Sequence, residues 1–183
     1  MKLGTKFSVS ASALVLVVVA GVGSLLYFAE KKLLIDEIES KENAQARGLA
    51  EVCRQAVITQ DDLLIVNYIR KLKETEGVSY AMFVNMENSI ITHTDNEQIG
   101  KKSVLRVDPS SVLPFRQNYI EKENVVDVAL PCVDGANRYG IAHVGFSQDF
   151  RQKKILDTLE KTRNRILSIG GISLVIGVVM SAL

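Results

Sequence analysis

Two histidines, His93 and His143, are the side chains in this sequence best suited to chemistry, because imidazole can bind a metal or carry a proton near neutral pH. Neither has a second Cys, His, Asp or Glu at a spacing typical of metal ligands, although Asp95 lies close to His93. The role that we favour for His93 is a hydrogen bond to neighbouring backbone that fixes a hairpin. Contact with a ligand is the second alternative, and metal binding or pH sensing is the third. His143 lies between two apolar residues, and we expect it to pack in the interior.

The nucleophiles and carboxylates of the sequence lack the arrangement that catalysis requires. There is no G-x-S-x-G nucleophile elbow and no phosphate-binding loop. Asp61 and Asp62 form a carboxylate pair, but adjacent residues of a helix do not share a face, and capping of a helix start explains them. We therefore predict a protein that is not an enzyme, with no metal site and no cofactor.

The elements that position these side chains lie between two uncharged apolar stretches, at residues 7–29 and 166–183. Each is about as long as a helix needs to cross the hydrocarbon core of a bilayer, so we predict a transmembrane helix at each. A cleaved signal peptide is the alternative for the first stretch. Its apolar run is longer than that of ordinary signal peptides, however, and no clean A-x-A cleavage site precedes the polar region.

Charges next to these stretches indicate the orientation in the membrane. Lys2 and Lys6 favour a cytoplasmic N-terminus at residues 1–6, whereas the basic residues just before the second stretch oppose it. With two spans and the N-terminus inside, residues 30–165 lie outside the cytoplasm, and this is the topology that we predict.

The middle region carries almost all the charge of the chain. It holds all 21 acidic residues and all but Lys2 and Lys6 of the 22 basic residues, which gives a net charge of −1. A nucleic-acid surface requires a clustered basic face, and the sequence contains none. We therefore expect no nucleic acid among the partners of this protein. The two apolar stretches predict that the lipid bilayer is a partner.

Helical patterns open the middle region. A long helix without proline leaves the first apolar stretch and continues to about Ala56, and a shorter helix follows, capped by Asp61 or Asp62.

Strand patterns then replace the helical ones. We predict that the first two strands form a hairpin. Asn85 and Asn88 suit its turn, because asparagine tolerates positive φ. A last helix begins at Gln148 and continues into the second apolar stretch without a breaker. The predicted strands are residues 78–85, 89–94, 115–122, 124–133 and 138–147.

The run SYAMFVNMENSIITHTDNEQIGKK, followed much later by RYGIAHVGFSQDF and a helix, resembles the single-Cache sensor domains of bacterial transmembrane receptors. These periplasmic PAS-like (PDC) domains occur in receptors of the histidine kinase, chemoreceptor and cyclase types. Asn85 and Asn88 stand where that family usually has Asp and Gly. The matching residues are Ile90, Ile91, His93, Gly100 and Lys101 in the first run and Gly140, Gly145, Phe146 and Ser147 in the second.

The resemblance implies an α+β fold between two transmembrane helices, with a central antiparallel sheet, the long helix on one face and a small-ligand pocket on the other. It implies a module in the bacterial inner membrane whose central domain is periplasmic and signals through its last helix. The cytoplasmic output module would then be a missing part of the receptor or a separate protein. The alternative is a membrane-anchored interaction domain that contacts another envelope protein without a small ligand.

The expected pocket follows from the resemblance and from strand alternation. An arginine clamp suits a carboxylate, so an organic acid or an amino acid is the expected ligand. The candidate ligand-binding residues are Tyr80, Met82, His93, Arg106, Arg116 and Tyr119.

Two further expectations concern covalent and subunit contacts. Cys53 and Cys132 belong to elements that pack together in the implied fold, so either a disulfide outside the cytoplasm or two buried thiols fit the sequence. Small residues spaced by four in the apolar stretches favour close helix packing and a homodimer. They are Ala20 and Ser24 in the first stretch and Ser173, Gly177 and Ser181 in the second.

Overall fold

Three α-helices, two of them long, and a five-stranded sheet are the main elements of the part of the chain that the structure, a computed structural model, describes: residues 3–105, 114–118 and 124–182. Helix α1, Leu3–Thr59, is continuous from the first apolar stretch into the middle region. Helix α3, Gln148–Ala182, is likewise continuous into the second. Both follow the predicted course, because no proline interrupts either one.

A short helix, α2, Asp62–Lys73, follows α1. The predicted cap is confirmed at Asp61, whose Oδ1 accepts a hydrogen bond of 3.1 Å from the backbone N–H of Leu63. The carboxylate satisfies one of the free N–H groups of the first turn, which sets the start of the helix.

The sheet is antiparallel throughout, with the strand order β2-β1-β5-β4-β3. The strands are β1 Val78–Asn85, β2 Ile90–His93, β3 Phe115–Asn118, β4 Val125–Asp134 and β5 Asn137–Ser147. All five predicted strands are therefore confirmed; the predicted end of β3 lies outside the described residues.

The turn between β1 and β2 forms as the asparagines predict. Asn85 Oδ1 accepts hydrogen bonds from the backbone N–H groups of Glu87 at 3.0 Å and Ser89 at 2.9 Å. Asn88 has a φ of +62°, which asparagine adopts more readily than other residues with a side chain.

The main core lies between the helices and one face of the sheet, here called the inner face. From Ala46 onward α1 buries a row of small and apolar residues, and α2 adds Ile65, Ile69 and Leu72. Each fully buried Leu or Ile contributes about 1.5–3 kcal/mol. The sheet contributes Ala81, Phe83, Val128, Cys132, Ala142, Val144 and Phe146 to this core.

Residues Ile38–Gln152 form one compact unit, and the remainder of the two long helices forms a second. Within the second unit α1 and α3 are in contact, since a Cβ on Gly23 would lie 2.9 Å from the Ile166 side chain. Within the described residues, α1 is long and apolar enough to cross a membrane. The domain limits 1–6, 7–29, 30–165 and 166–183, the second span and the homodimer stay predictions.

Candidate ligand-binding site

The face of the sheet opposite the helices, here called the outer face, carries a second group of buried side chains. Tyr80, Met82 and Val84 alternate along β1 and lie in this group. Ile90, Leu105 and Val125 complete its apolar part. The resemblance implies a ligand pocket on this face. In addition to the apolar side chains, the structure shows buried polar side chains there.

Asp127 is the centre of the polar part of the outer face. Its carboxylate is fully buried and accepts a hydrogen bond of 2.7 Å from the Tyr80 hydroxyl. Its second oxygen lies 2.8 Å from Nδ1 of His143, which is 1% exposed. The register brings the three strands together, because Tyr80 and Asp127 both pair with Gly145, and His143 pairs with Met82.

The contact with Asp127 determines the tautomer of His143. A carboxylate only accepts hydrogen bonds, so the proton of this contact lies on Nδ1. In a neutral imidazole the other nitrogen, Nε2, is then an acceptor. Nε2 is buried and has no hydrogen-bond partner among the residues that the structure describes. A buried polar atom without a partner costs about 1–3 kcal/mol, so this position is suited to a group that comes from outside the described sheet.

Gly145 makes room for the Tyr80 ring on the outer face. A Cβ on Gly145 would lie 2.0 to 2.7 Å from three atoms of that ring, far inside van der Waals contact. Only glycine therefore allows Tyr80 to lie over β5 and reach Asp127.

His93 forms the edge of this group at the end of β2. Its ring stacks on Tyr80 with a centroid distance of 5.8 Å and an interplanar angle of 13°. Its Nδ1 accepts a hydrogen bond of 2.8 Å from the backbone N–H of Asp95, which confirms the predicted bond to neighbouring backbone. A ligand contact at His93 stays a prediction.

Asp95 holds the segment that follows β2. Its side chain accepts a hydrogen bond of 3.1 Å from the backbone N–H of Glu97 and caps the 3-10 turn Asn96–Gln98. This hydrogen bond, and a second one from Gln98, lower the pKa of the Asp95 carboxyl. The carboxylate is thus favoured, and His93 and Asp95 together fix where the chain leaves the hairpin.

The segment after this turn runs back beside β2. The N–H of Gly100 donates to the Ile90 carbonyl at 2.8 Å, and the Lys101 carbonyl accepts from the Ile90 N–H at 2.9 Å. Gly100 has a φ of +84°, which glycine adopts without strain. The Gly-Lys pair that carried part of the family resemblance therefore pairs with the edge of the sheet, and Leu105 is buried on the outer face beyond it.

Arg116 lies on the inner face, away from Tyr80. It pairs with Val128, whose side chain belongs to the main core. Its guanidinium bonds Glu42 at 2.7 Å, the Glu39 carbonyl at 3.1 Å and Asn43 at 3.0 Å, all on α1.

Three of the six candidate residues therefore lie together on the outer face: Tyr80, Met82 and His93. The structure does not bring Arg116 to them. Arg106 and Tyr119 lie outside the described residues, so their roles stay predictions.

Sequence reasoning missed Asp127 and favoured packing as the role of His143. A signal for Asp127 was present, since it is the one charged residue between Val125 and Cys132 in an otherwise apolar strand. Alternation with Val126 and Val128 also places it on the outer face. Among the described residues, no group of three or more His, Cys, Asp or Glu side chains is arranged to hold a metal ion.

Replacing Arg116 with methionine is expected to lower the free energy of unfolding by about 2 kcal/mol, because Glu42 would lose its partner in a buried position. The side chains of Arg116 and Glu42 are 26% and 8% exposed, so the cost is lower than for a fully buried pair. Urea denaturation measures it. The control is Arg163→Met, which removes the exposed pair with Glu160 and is expected to cost below about 0.5 kcal/mol.

The double variant Arg116→Met, Glu42→Gln should recover part of the loss, since no buried charge is left unpaired. Equal effects of Arg116→Met and Arg163→Met would contradict this role of Arg116.

The α+β fold with its central antiparallel sheet is shared with solved ligand-binding domains of bacterial chemoreceptors. The structure is similar to the ligand-binding domain of the Campylobacter jejuni chemoreceptor Tlp3 in complex with L-valine. The TM-score is 0.58 at 11% identity, with 81% of this chain and 66% of that chain covered. It is also similar to the domain of the Pseudomonas fluorescens chemoreceptor CtaA in complex with L-valine, with a TM-score of 0.52, 13% identity, and 69% and 60% covered.

The sequence gives the family directly. A family model, single Cache domain 3, matches residues 34–160, and the chain belongs to this family. The resemblance stated from the sequence is thereby confirmed. The chain spans about 60% of the CtaA domain, and at these identities the structural likeness shows the fold alone. No curated protein matches the sequence.

Proposed function

We propose that residues 30–165 are the extracytoplasmic sensor of a bacterial transmembrane signalling receptor, and that they bind a small molecule on the outer face of the sheet. The observation that supports this most strongly is the buried polar group of Tyr80, Asp127 and His143. A domain that needed only a stable core would have apolar side chains here, because buried charges are costly. The function is sensory and requires no catalytic residue.

The chemistry of His143 favours an amino acid over an organic acid without an amino group. In the tautomer that carries its proton on Nδ1, the imidazole has an acceptor at Nε2, which suits an ammonium group. The negative charge of Asp127 beside it favours the same group. A carboxylate at Nε2 would require a second proton on the ring. The similar chemoreceptor domains are complexes with L-valine and 4-methylisoleucine, which agrees with this class.

The apolar side chains around the polar group suit the remainder of such a ligand. Met82, Val84 and Leu105 are each at most 4% exposed and lie in the same outer-face cluster as Tyr80. Because these side chains are already buried, the gain would come from the apolar area of the ligand itself, at about 25 cal/mol per Å².

A direct connection leads from the site to the signalling helix. β5 carries His143 and Gly145 and ends at Ser147, and α3 begins at the next residue, Gln148. The Gln148 N–H donates to the Asn124 carbonyl at 2.7 Å. Phe150 lies over Gly77, where a Cβ would come within 2.7 Å of its ring. A ligand that shifts β5 thus moves the start of α3, provided that it binds one arrangement better than the other.

The test is a thermal-shift screen of the full chain in detergent micelles. We expect aliphatic L-amino acids to raise Tm, with about 2.7 kcal/mol of stabilisation at a ligand concentration 100 times Kd. The matched compounds are the 2-hydroxy acids of the same carbon skeleton, in which a neutral hydroxyl replaces the ammonium group, and these should give a clearly smaller shift. Equal shifts with both series would overturn the amino-acid assignment. No shift with any small molecule would favour the interaction domain without a ligand.

A further inference from the structure

The two cysteines of the chain meet in the main core. Cys53 lies on α1 and Cys132 on β4, and the two side chains are 0% and 1% exposed. Both belong to the inner-face cluster as free thiols, and Cys132 lies close enough to Cys53 to raise the pKa of its thiol. We expect two buried neighbouring thiols on different elements of one core to be joined by a disulfide without a large backbone movement.

We propose that Cys53 and Cys132 form a disulfide in the cellular protein, which makes the pair a covalent modification site that joins α1 to β4. The inference rests on the extracytoplasmic location proposed above, since disulfides persist in such compartments. The two thiols lose two protons and two electrons as the S–S bond forms. A protein or small-molecule disulfide accepts the electrons and is reduced to two thiols.

Burial determines when this reaction takes place. The neighbouring Cys132 and the loss of solvent raise the pKa of the Cys53 thiol, so the reactive thiolate is scarce in the folded domain. No oxidant reaches side chains that are at most 1% exposed. The disulfide therefore forms while the domain folds, and afterwards it is protected from reductants for the same reason.

The disulfide would close a loop that contains α2 and the first three strands. A loop of roughly 80 residues gives a large entropic effect on the unfolded chain, equivalent to a rise in Tm of about 10 °C or more. It would also prevent α1 from sliding along β4 where Cys53 and Cys132 join the two elements. A ligand signal would then leave the sheet through β5 and α3, because α1 cannot move independently there.

The first experiment examines the protein as cells make it. The full chain is expressed in bacteria, purified from membranes without reductant, precipitated in acid to stop thiol exchange, and dissolved in urea at neutral pH with N-ethylmaleimide to block free thiols. Peptide mass mapping should show Cys53 and Cys132 in one linked peptide pair. Cys53→Ala is the control, in which Cys132 should carry the maleimide. Maleimide on both cysteines of the unmodified chain would overturn the proposal.

The second experiment separates a failure of geometry from a failure of location. The reduced full chain is unfolded in urea and refolded in micelles with a mixture of oxidised and reduced glutathione. We expect the linked peptide pair, and a Tm about 10 °C above that of the chain refolded with reductant. No linkage here would show that the two thiols cannot be joined. If the refolded protein contained the disulfide but the protein purified from membranes had free thiols, the proposal would be overturned. In that case the geometry would allow the bond, and the proposed extracytoplasmic location would be wrong. The amino-acid screen, run on oxidised and reduced protein, tests the sensor function independently.

Discussion

Replacing Asp127 with asparagine is expected to abolish amino-acid binding and to lower the free energy of unfolding by about 2–3 kcal/mol. The carboxylate accepts from both the Tyr80 hydroxyl and His143 Nδ1. An amide has only one acceptor oxygen, so either the Tyr80 hydroxyl or the His143 ring would have to exchange its donor role for an acceptor role, and both bonds would lose the assistance of the charge. The negative charge that favours the ligand ammonium would also be lost. Calorimetric titration of the best amino acid from the screen measures the first effect, and urea denaturation measures the second.

The control is Asp134→Asn, the same substitution at the far end of β4. Asp134 is half-exposed and lies 3.4 Å from Arg54, so we expect less than about 0.5 kcal/mol and unchanged binding. Full binding by Asp127→Asn at normal affinity would show that Asp127 is only structural. Equal loss of stability in both variants would contradict the buried arrangement itself.

Replacing Gly145 with alanine is expected to lower the free energy of unfolding by about 3–5 kcal/mol and to abolish ligand binding, although the change adds only one methyl group. The added methyl group would overlap the Tyr80 ring, which is 2% exposed. Displacement of the ring would break its hydrogen bond with Asp127 and its stacking on His93. Denaturation and calorimetric titration measure the two effects.

Gly135→Ala separates this overlap from the general effect of losing a glycine. Gly135 lies in the turn between β4 and β5, where φ is +57° and nothing lies within 4 Å of an added Cβ. A cost of about 1 kcal/mol is expected there, from the backbone alone. The double variant Gly145→Ala, Tyr80→Leu should recover stability and not binding. If Gly145→Ala had no greater effect than Gly135→Ala, the position of the Tyr80 ring would be wrong.

The sequence was sufficient to predict the elements of the fold because their local signals agree with their environment. Asn85 and Asn88 specify the turn of the first hairpin, and Asp61 specifies the start of α2, through bonds within a few residues. The alternation of Val128 and Cys132 gives the inner face of β4. The bond of His93 to the Asp95 backbone is also local. Such features depend on spacing along the chain, which a sequence displays directly.

The candidate site was predicted less completely because its contacts join distant strands. Tyr80, Asp127 and His143 meet only through the register of β1, β4 and β5, and no short motif encodes that register. For Arg116, the sequence did not show which face of the sheet the side chain occupies. In a strand a shift of one residue moves each side chain to the other face, and only the pairing with Val128 shows which face Arg116 occupies. Its charge suggested a ligand, whereas Glu42 on α1 is its partner.

The absence of a linker between β5 and α3 constrains how such a receptor can change over evolution. Successive residues of an α-helix are separated by about 100° around its axis. Because Ser147 is hydrogen-bonded to Gly77 and Gln148 to Asn124, the sheet determines the angular phase of the first turn of α3. An insertion of one residue at this junction would rotate that turn by more than a quarter turn about the helix axis, whereas seven would nearly restore its phase. We therefore expect length variation among relatives to be excluded from this junction or to occur there in steps of seven.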